Sequence, residues 1–253
     1  MNMKKLIISS LFFMHGFLLM AQEKNTLSTF EISLSTFQTN ALAFDRNYDF
    51  DFQNGVNSSN TFGYSLSGRR TQSIFMENLS WFVGTRVGVH AYSIDLLLSQ
   101  EFRDLGSELD YTTFSKSNYD LLLIDIFAGL RYNFPIGEKM KIGIEGAAVV
   151  NYHFQNDINH NEISLSNGQT TTLLTADMIV NSDNQVIIAP QFGLSYQYSF
   201  GNSGLRIAAY TLMASNNILE GSYQIFGDNE TLEGKLSKDY SFGGLEIGYF
   251  WNL

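Results

Sequence analysis

An eight-stranded antiparallel up-and-down transmembrane β-barrel is the fold class that this all-β sequence predicts. The first observation is the carboxyl-terminal segment, where Leu245, Ile247, Tyr249, Trp251 and Leu253 occupy every second position. The second is that similar period-2 segments recur along the chain. The third is that long and short connections alternate between these segments. This asymmetry is typical of a barrel with short periplasmic turns and long extracellular loops.

The amino-terminal segment predicts export. Lys4 and Lys5 precede an almost wholly apolar run that ends at Ala21, a small residue suited to cleavage. We therefore expect residues 1–21 to be a cleaved signal peptide and residues 22–253 to be one outer-membrane β-barrel domain. An uncleaved membrane anchor is the alternative. The chain contains no Cys, which excludes disulfides and thiolate metal sites.

Eight strands are predicted from the alternation of apolar residues with polar or small ones. In chain order they span residues 29–37, 62–69, 79–92, 119–134, 140–152, 186–200, 205–213 and 240–253. The long connections are 38–61, 93–118, 153–185 and 214–239, and the short ones are 70–78, 135–139 and 201–204. Because the number of strands is even, both termini lie on the periplasmic side. Pro190 fits its strand poorly, since it cannot donate a ladder hydrogen bond.

The apolar face of these strands is predicted to contact lipid. The opposite face mixes glycines with charged residues, which is what a narrow barrel interior can accommodate. Aromatic residues on the apolar face lie near the periplasmic strand ends, where they predict a membrane-interface girdle. Its members are Trp81, Tyr132, Phe134, Tyr196, Tyr198, Phe200, Tyr249 and Trp251. A soluble secreted barrel, in which this face would form the core, is the structural alternative.

With these features the chain resembles the outer-membrane β-barrel domain family, the small OmpX-, OmpA- and PorT-like barrels of Gram-negative bacteria. The resemblance covers the whole mature chain. It rests on the signal peptide, the turn from Phe134 and Pro135 to Lys139 between two long strands, and the segment Leu245–Leu253. It implies the cell outer membrane as the location, with membrane lipid and lipopolysaccharide as partners. It also implies that the barrel assembly machinery reads the carboxyl-terminal strand.

The inward face of the predicted strands carries charges of both signs. Unpaired charges in a closed interior are costly, and eight strands enclose just enough room for side chains. We therefore predict a compensating network that plugs the interior. Its members are Glu31, Arg69, Arg86, Asp125, Arg131, Lys141, Glu145, Arg206 and Glu246. A gated narrow pathway for ions or small solutes is the alternative.

The four long loops carry 17 acids and 5 bases. A well-solvated outer surface accounts for this excess. Binding of divalent cations is the alternative, with Asp45, Asp49 and Asp51 as oxygen ligands of the kind that Ca²⁺ takes. Acidic loops argue against nucleic acid as a partner, because phosphate binding needs clustered Lys and Arg.

The sequence predicts no catalytic residues. His90 lies close to Ser93 and Asp95, a combination that a lipid-modifying enzyme could use, but hydrogen-bond geometry cannot be read from spacing. We expect His90, His153 and His160 to be polar groups at the outer rim. The prediction is a non-enzymatic structural or surface-interaction protein, monomeric and without cofactor or metal, whose outer loops could bind an extracellular ligand. A narrow channel and a lipid-modifying enzyme are the alternative functions.

Overall fold

A closed eight-stranded antiparallel β-barrel forms the body of the protein, which confirms the predicted fold class. The computed structural model describes residues 28–45, 55–74, 76–99, 111–152, 159–166, 170–180, 186–226 and 231–253. The predicted signal peptide, 1–21, lies outside the described residues. Within the described ranges, no helix is long and apolar enough to cross a membrane.

The described residues form strands β1 to β14. In chain order these are β1 (Ser28–Thr39), β2 (Ala43–Phe44), β3 (Gly55–Asn57), β4 (Thr61–Ile74), β5 (Met76–Ser99), β6 (Tyr111–Pro135), β7 (Met140–Tyr152), β8 (Asn159–Ser166), β9 (Thr170–Val180), β10 (Val186–Phe200), β11 (Ser203–Leu212), β12 (Asn217–Phe226), β13 (Thr231–Asp239) and β14 (Phe242–Asn252). The barrel strands β1, β4, β5, β6, β7, β10, β11 and β14 pair in that order. The pairing of β1 with β14 closes the ring.

Alternation along the strands separates an inward from an outward face. In β1, burial switches residue by residue from Glu31 to Thr39. Large apolar side chains on the outward face are exposed, for example Leu34 (67 %), Leu194 (60 %) and Ile247 (60 %). A soluble monomer rarely exposes so extensive an apolar surface. The exterior therefore suits contact with lipid.

The short turns are built by residues that tolerate tight geometry. Phe200 pairs with Ser203, which leaves a two-residue turn, Gly201 and Asn202. Gly201 has a φ of 71°, a left-handed conformation that glycine adopts without a steric cost. At the β6–β7 turn, the Ile136 amide donates to the Met140 carbonyl at 2.9 Å.

Pro190 lies where the hydrogen-bond ladder between β10 and β11 ends. β10 pairs with β7 as far as Val186, but its ladder with β11 begins only at Gln191. The Pro190 carbonyl accepts from the Met213 amide at 3.0 Å. In an antiparallel strand the N–H and C=O of one residue point to the same neighbour. The missing donor of Pro190 therefore faces Met213 at the end of the β10–β11 ladder. Only the reciprocal bond to Met213 is lost, and the ladder with β7 is unaffected.

A second sheet of five strands extends the barrel on the side of the long connections. Its order is β2-β13-β12-β9-β8, and we call it the outer sheet. This order repeats that of the barrel strands β1, β14, β11, β10 and β7, from which the five strands continue. The prediction of plain loops over 153–185 and 214–239 was therefore wrong for much of both segments. Alternating apolar residues in them, such as Tyr223 and Ile225, are buried on one face of the outer sheet.

The opposite wall also continues beyond the barrel. The β5–β6 ladder extends to the pair Ser99 and Tyr111, and β3 pairs with Leu97 to Asp95 of β5. A membrane-crossing strand needs only about 9–11 residues, whereas β5 has 24. We call β3 with the outer parts of β5 and β6 the outer wall. One hydrophobic core joins barrel, wall and sheet, and it includes Phe37, Val149, Leu212, Ile94, Leu96, Leu174, Met178 and Ile225.

Candidate functional site

Six charged side chains from six barrel strands meet in the interior. We call this set the lower cluster: Glu31, Arg69, Arg131, Glu145, Arg206 and Glu246. Strand register brings opposite charges together, because Glu31 lies opposite Arg69 and Arg131 lies opposite Glu145. Gly248 leaves room for the Glu31 carboxylate, which a Cβ at that position would displace.

Each glutamate of the lower cluster contacts at least two arginines. Glu31 accepts from Arg69 Nη2 at 2.8 Å and from Arg206 Nε at 2.8 Å. Glu145 accepts from Arg69 Nη1 at 3.0 Å, from Arg131 Nε at 3.0 Å and from Arg206 Nη1 at 3.1 Å. Glu246 accepts from Arg69 Nη2 at 3.1 Å and also contacts Arg206 Nη2. Three positive and three negative charges make the lower cluster neutral as a whole.

A separate buried pair, Arg86 and Asp125, lies nearer the outer sheet. Arg86 Nε donates to Asp125 Oδ2 at 2.7 Å, and Arg86 Nη2 donates to Gln191 Oε1 at 3.1 Å. Asp125 also accepts from the Tyr240 hydroxyl at 2.7 Å and from the Asn151 amide. Asp125 has no exposed surface, and its neighbours supply the several hydrogen bonds that a buried carboxylate requires.

Aromatic rings cover the arginines on their remaining sides. Phe82 lies 5.5 Å from the Arg69 guanidinium and 5.7 Å from that of Arg131. The rings of Phe127, Tyr210 and Phe242 lie 5.3 to 5.8 Å from that of Arg86. At these distances a ring face attracts a cation. We predicted no role for these rings, although the position of Phe82 and Phe127 on the polar face of their strands indicated one.

The two charged groups are separated by a narrow gap. Its lining includes Arg69, Arg86, Gln191 and Tyr210, and it has room for about one water molecule. Lys141 joins neither group: it is half-exposed beside the β6–β7 turn, and no ion pair is found for it among the described residues. The structure thus brings together eight of the nine charges that we predicted to form the network.

The predicted girdle residues lie on the outward face of the barrel. Trp81 and Trp251 are half-buried, and the other six side chains are exposed. Neighbouring rings contact one another: Tyr132 lies 4.8 Å from Phe134, and Phe200 lies 6.2 Å from Tyr249. Phe30, which we did not include, packs 5.1 Å from Trp251. The interfacial role of these rings remains a prediction.

The prediction for His90 needs correction. His90 is fully buried rather than at the rim, because the hydrophobic core that joins barrel, outer wall and outer sheet surrounds it. The rings of Phe37, Tyr240 and Phe242 lie within 6 Å of its own ring. Ser93 Oγ lies 2.8 Å from Ser59 Oγ, and His160 Nδ1 lies 2.6 Å from an exposed Asp177 carboxylate. His153 lies outside the described residues.

The candidate Ca²⁺ ligands gain no support from the described residues. Asp45 Oδ1 accepts from the backbone amide of Lys235 at 2.7 Å. Asp49 and Asp51 lie outside the described ranges. In the part of the chain that the structure describes, no group of three or more His, Asp or Glu side chains could hold a metal ion.

A buried lysine fixes the junction between the outer sheet and the barrel. Lys238 has no exposed surface, and its Nζ donates to the Asn40 carbonyl. The side-chain amide of Asn40 donates in turn to the Asp239 carboxylate at 3.0 Å. Burial lowers the pKa of Lys238 to about 8, and the nearby Asp239 partly opposes this shift.

We expect the stability of the outer sheet to rise with pH because of Lys238. The folded-state pKa of about 8 lies below the ordinary value of 10.5, so the unfolded state binds the proton more tightly. Burying the charged form of Lys238 therefore destabilises the folded state by about 3 kcal/mol below pH 8. This destabilisation disappears as the pH rises to 10.5. Circular dichroism melts of the protein and of Lys238→Met at pH 7.5 and 9.5 test this. If the stability of the natural protein relative to Lys238→Met did not rise between pH 7.5 and pH 9.5, the prediction would be contradicted.

The fold, a closed eight-stranded antiparallel β-barrel, is one that proteins of the bacterial outer membrane also have. The outer membrane protein OprG from Pseudomonas aeruginosa is similar, with a TM-score of 0.51 at 10% identity over 91% of this chain and 97% of OprG. Neisserial surface protein A gives a TM-score of 0.42 at 11% identity over 88% and 96% of the two chains. The Escherichia coli outer membrane protease OmpT gives 0.37 at 9% identity over 92% and 98%. No family model matches the sequence, and no curated protein is similar to it in sequence.

Proposed function

We propose that this chain is an integral outer-membrane protein of the small OmpX-, OmpA- and PorT-like kind. Its interior is plugged, and its role is non-enzymatic: it presents the outer sheet as a rigid interaction surface outside the cell. The observation that carries this proposal is the extension of the barrel strands into a packed, strand-built outer structure. Export by a cleaved signal peptide, recognition by the barrel assembly machinery and contact with lipopolysaccharide belong to the same proposal.

The charged interior supports a plug. The lower cluster and the Arg86–Asp125 pair are each neutral, so neither offers a net charge that would attract a permeating ion. Every member of both groups is at least nine-tenths buried. Above them the apolar core, with Phe37 and Leu212, fills the barrel toward the outer sheet. Together these two layers support the proposal that the interior is closed.

The outer sheet supports an interaction surface. Its inner face is anchored by buried residues, including Leu174 and Ile225. Its outer face is polar and acidic, with exposed Asp177, Glu220 and Glu233. Loops on a rigid barrel commonly carry recognition, and here paired strands replace the loops. A surface of this kind can bind a partner without first becoming ordered, which lowers the entropic cost of binding.

The side of the membrane can be tested with single cysteines, because the natural chain has none. Ser222→Cys lies on the exposed face of the outer sheet, and the matched Asn202→Cys lies in the β10–β11 turn. We expect a membrane-impermeant maleimide to label Ser222→Cys in intact cells, and Asn202→Cys only after lysis. Labelling in the opposite pattern would overturn the proposed orientation. Extraction of the protein by carbonate without detergent would overturn membrane insertion.

Planar bilayers test the plug. Because both charged groups are neutral and buried, we expect the folded protein to give no conductance above background. Folding is checked first on a gel, where the unboiled protein should run as a compact band whose mobility differs from that of the boiled protein. A porin inserted in the same bilayer serves as the positive control. Stable unitary currents from the folded protein would favour the narrow-channel alternative. Currents that disappear after further purification would be assigned to a contaminant and leave the plug in place.

A further inference from the structure

The outward face of each barrel strand carries a column of alternate side chains, and the apolar parts of these columns differ in length. On β10 the apolar column occupies the whole strand, Val186–Phe200, and each of its side chains is exposed. On β1 the apolar column runs only from Phe30 to Leu34. The barrel therefore presents a tall apolar surface on one side and a short one on another.

Polar or small residues continue the short columns outward. On β1, Leu34 is followed on the same face by Thr36 and Gln38, which are both exposed. On the neighbouring strand β14, Leu245 is followed by the exposed Gly243, which lies opposite Gln38 in the ladder. We call Thr36, Gln38 and Gly243 the polar notch. The Thr36 hydroxyl donates to a backbone carbonyl of β4 at 3.2 Å, so the Gln38 amide is the most polar group of the notch.

Heights on different strands can be compared through the register of the barrel. From Leu34, the ladder leads through β4, β5, β6 and β7 to Val186 of β10. In the other direction it leads through β14 and β11 to Tyr196 of the same strand. The two routes end ten residues apart, so the ladder shifts by ten residues over one circuit of eight strands. Strands with this stagger tilt by about 40° from the barrel axis.

The polar notch is level with apolar residues of β10. From Gln38 the ladder passes through Gly243 and one residue of β11 to Phe192. These three steps descend by about four residues, so Ile188 is the residue of β10 at the height of Gln38. Ile188 is 68% exposed. Gly243, one step from Gln38, lies slightly closer than Ile188 to the end of the barrel that carries the short turns.

A tilt of the whole barrel cannot compensate for this difference, because it moves a column without changing its length. An apolar band of about 25 Å corresponds to about ten residues of a strand tilted in this way. The column of β10 exceeds this length, whereas the column of β1 falls well short of it. A bilayer adapts to a short apolar surface by becoming thinner, at a modest cost per ångström. A bilayer of full thickness would place the Gln38 amide in hydrocarbon, where a polar group without a hydrogen-bond partner is strongly disfavoured.

We propose that the membrane is locally thinned beside β1 and β14, where the polar headgroups of the outer leaflet descend to the polar notch. This inference rests on the proposed function, because it requires the barrel to lie in a membrane. Headgroup oxygens and their waters hydrogen-bond to the Gln38 amide, and the acyl chains contact the short column that ends at Leu34. Around β10 the same leaflet keeps its full thickness.

Spin labels at two single cysteines test this proposal, since the natural chain has no Cys. Gly243→Cys places a label in the polar notch and retains Gln38. A Cβ at this position lies 3.7 Å from the Tyr210 carbonyl oxygen, an ordinary contact. Ile188→Cys provides the matched position on β10. Each protein is folded into phosphatidylcholine vesicles. Electron paramagnetic resonance then measures collisions of the label with a water-soluble nickel chelate and with oxygen, which concentrates in hydrocarbon.

The order of the two labels distinguishes the possibilities. In a bilayer of uniform thickness the label of Gly243→Cys lies deeper than that of Ile188→Cys, so it would meet the nickel chelate less often. Local thinning reverses this order, and we expect the ratio of nickel to oxygen collisions to be several-fold higher for Gly243→Cys. The uniform order would overturn the inference and leave membrane insertion in place. A Gly243→Cys label shielded from both reagents would indicate a second copy of the protein in place of lipid, which would also overturn the inference.

Lengthening the short column should reverse the effect. Thr36→Leu combined with Gln38→Leu makes the notch apolar, so the ratio of nickel to oxygen collisions for Gly243→Cys should fall several-fold. The control Ser222→Leu adds a leucine to the exposed face of the outer sheet, and it should leave the ratio unchanged. An unchanged ratio in the double variant would overturn the inference. If both labels gave the ratios of the protein unfolded in urea, the barrel would not lie in the membrane, and the proposed function would fail as well.

Discussion

Glu31→Gln is expected to destabilise the folded barrel by about 3–5 kcal/mol, the usual cost of leaving a buried charge without its partner. Glu31 is 2% exposed and accepts hydrogen bonds from both Arg69 and Arg206. The neutral amide keeps the shape of the side chain but leaves the lower cluster with an excess positive charge. The loss in the free energy of unfolding is measured by urea unfolding of the protein refolded in lipid vesicles. Tryptophan fluorescence and the difference in gel mobility between boiled and unboiled samples report the transition.

Two controls isolate the charge effect. Glu138→Gln removes an acid from the exposed β6–β7 turn, so its effect should stay within about 0.5 kcal/mol. The double variant Glu31→Gln with Arg206→Gln restores neutrality, so it should recover part of the stability that the single variant loses. If Glu31→Gln were as stable as Glu138→Gln, the lower cluster would be hydrated, and the plug would have to be abandoned.

Leu174→Ala is expected to loosen the outer sheet while leaving the barrel folded. Leu174 is fully buried and lies opposite Ile163 on β8 and Ile225 on β12. Truncating a buried leucine typically costs about 2–5 kcal/mol, because the cavity is only partly refilled. Hydrogen exchange should rise in β8, β9 and β12, and it should stay slow in β1 and β14, which close the barrel.

The neighbouring position provides the matched comparison. Thr175 belongs to the same strand but is half-buried on the opposite face. Thr175→Ala removes a similar number of atoms without opening the core, so exchange in the outer sheet should change little. If Leu174→Ala instead lowered the stability of the whole barrel, the outer sheet and the barrel would unfold as one cooperative unit.

The barrel could be predicted well because its local pattern is strong. The bounds of β7 and β10 agree with the predicted strands 140–152 and 186–200. In both strands a lipid-facing apolar side chain stands at nearly every second position. The interior charges were also identifiable, since a charged residue on the inward face stands out among small ones. Which charges pair, such as Arg69 with Glu145, depends on contacts across many strands and cannot be read from local spacing.

The outer sheet was missed for a physical reason. Its strands have one polar face and many Asn, Thr and Ser residues, so the composition resembles that of loops. A period-2 signal was nevertheless present at Leu219, Gly221, Tyr223 and Ile225 of β12. His90 was misplaced because its strand was predicted to end at residue 92, whereas β5 continues to Ser99. His90, which we expected at the rim, therefore lies well inside a longer strand.

The outer strands follow the same order as the barrel strands, so their length can change without altering the barrel. Each outer strand continues a barrel strand without crossing another segment, so the molecule is one tall tube that opens partway up. Adding or removing two residues in both arms of a hairpin keeps every side chain on its face. The height of the outer sheet above the barrel can thus vary in steps of two residues per strand, while the outward-facing residues of the barrel stay where they are.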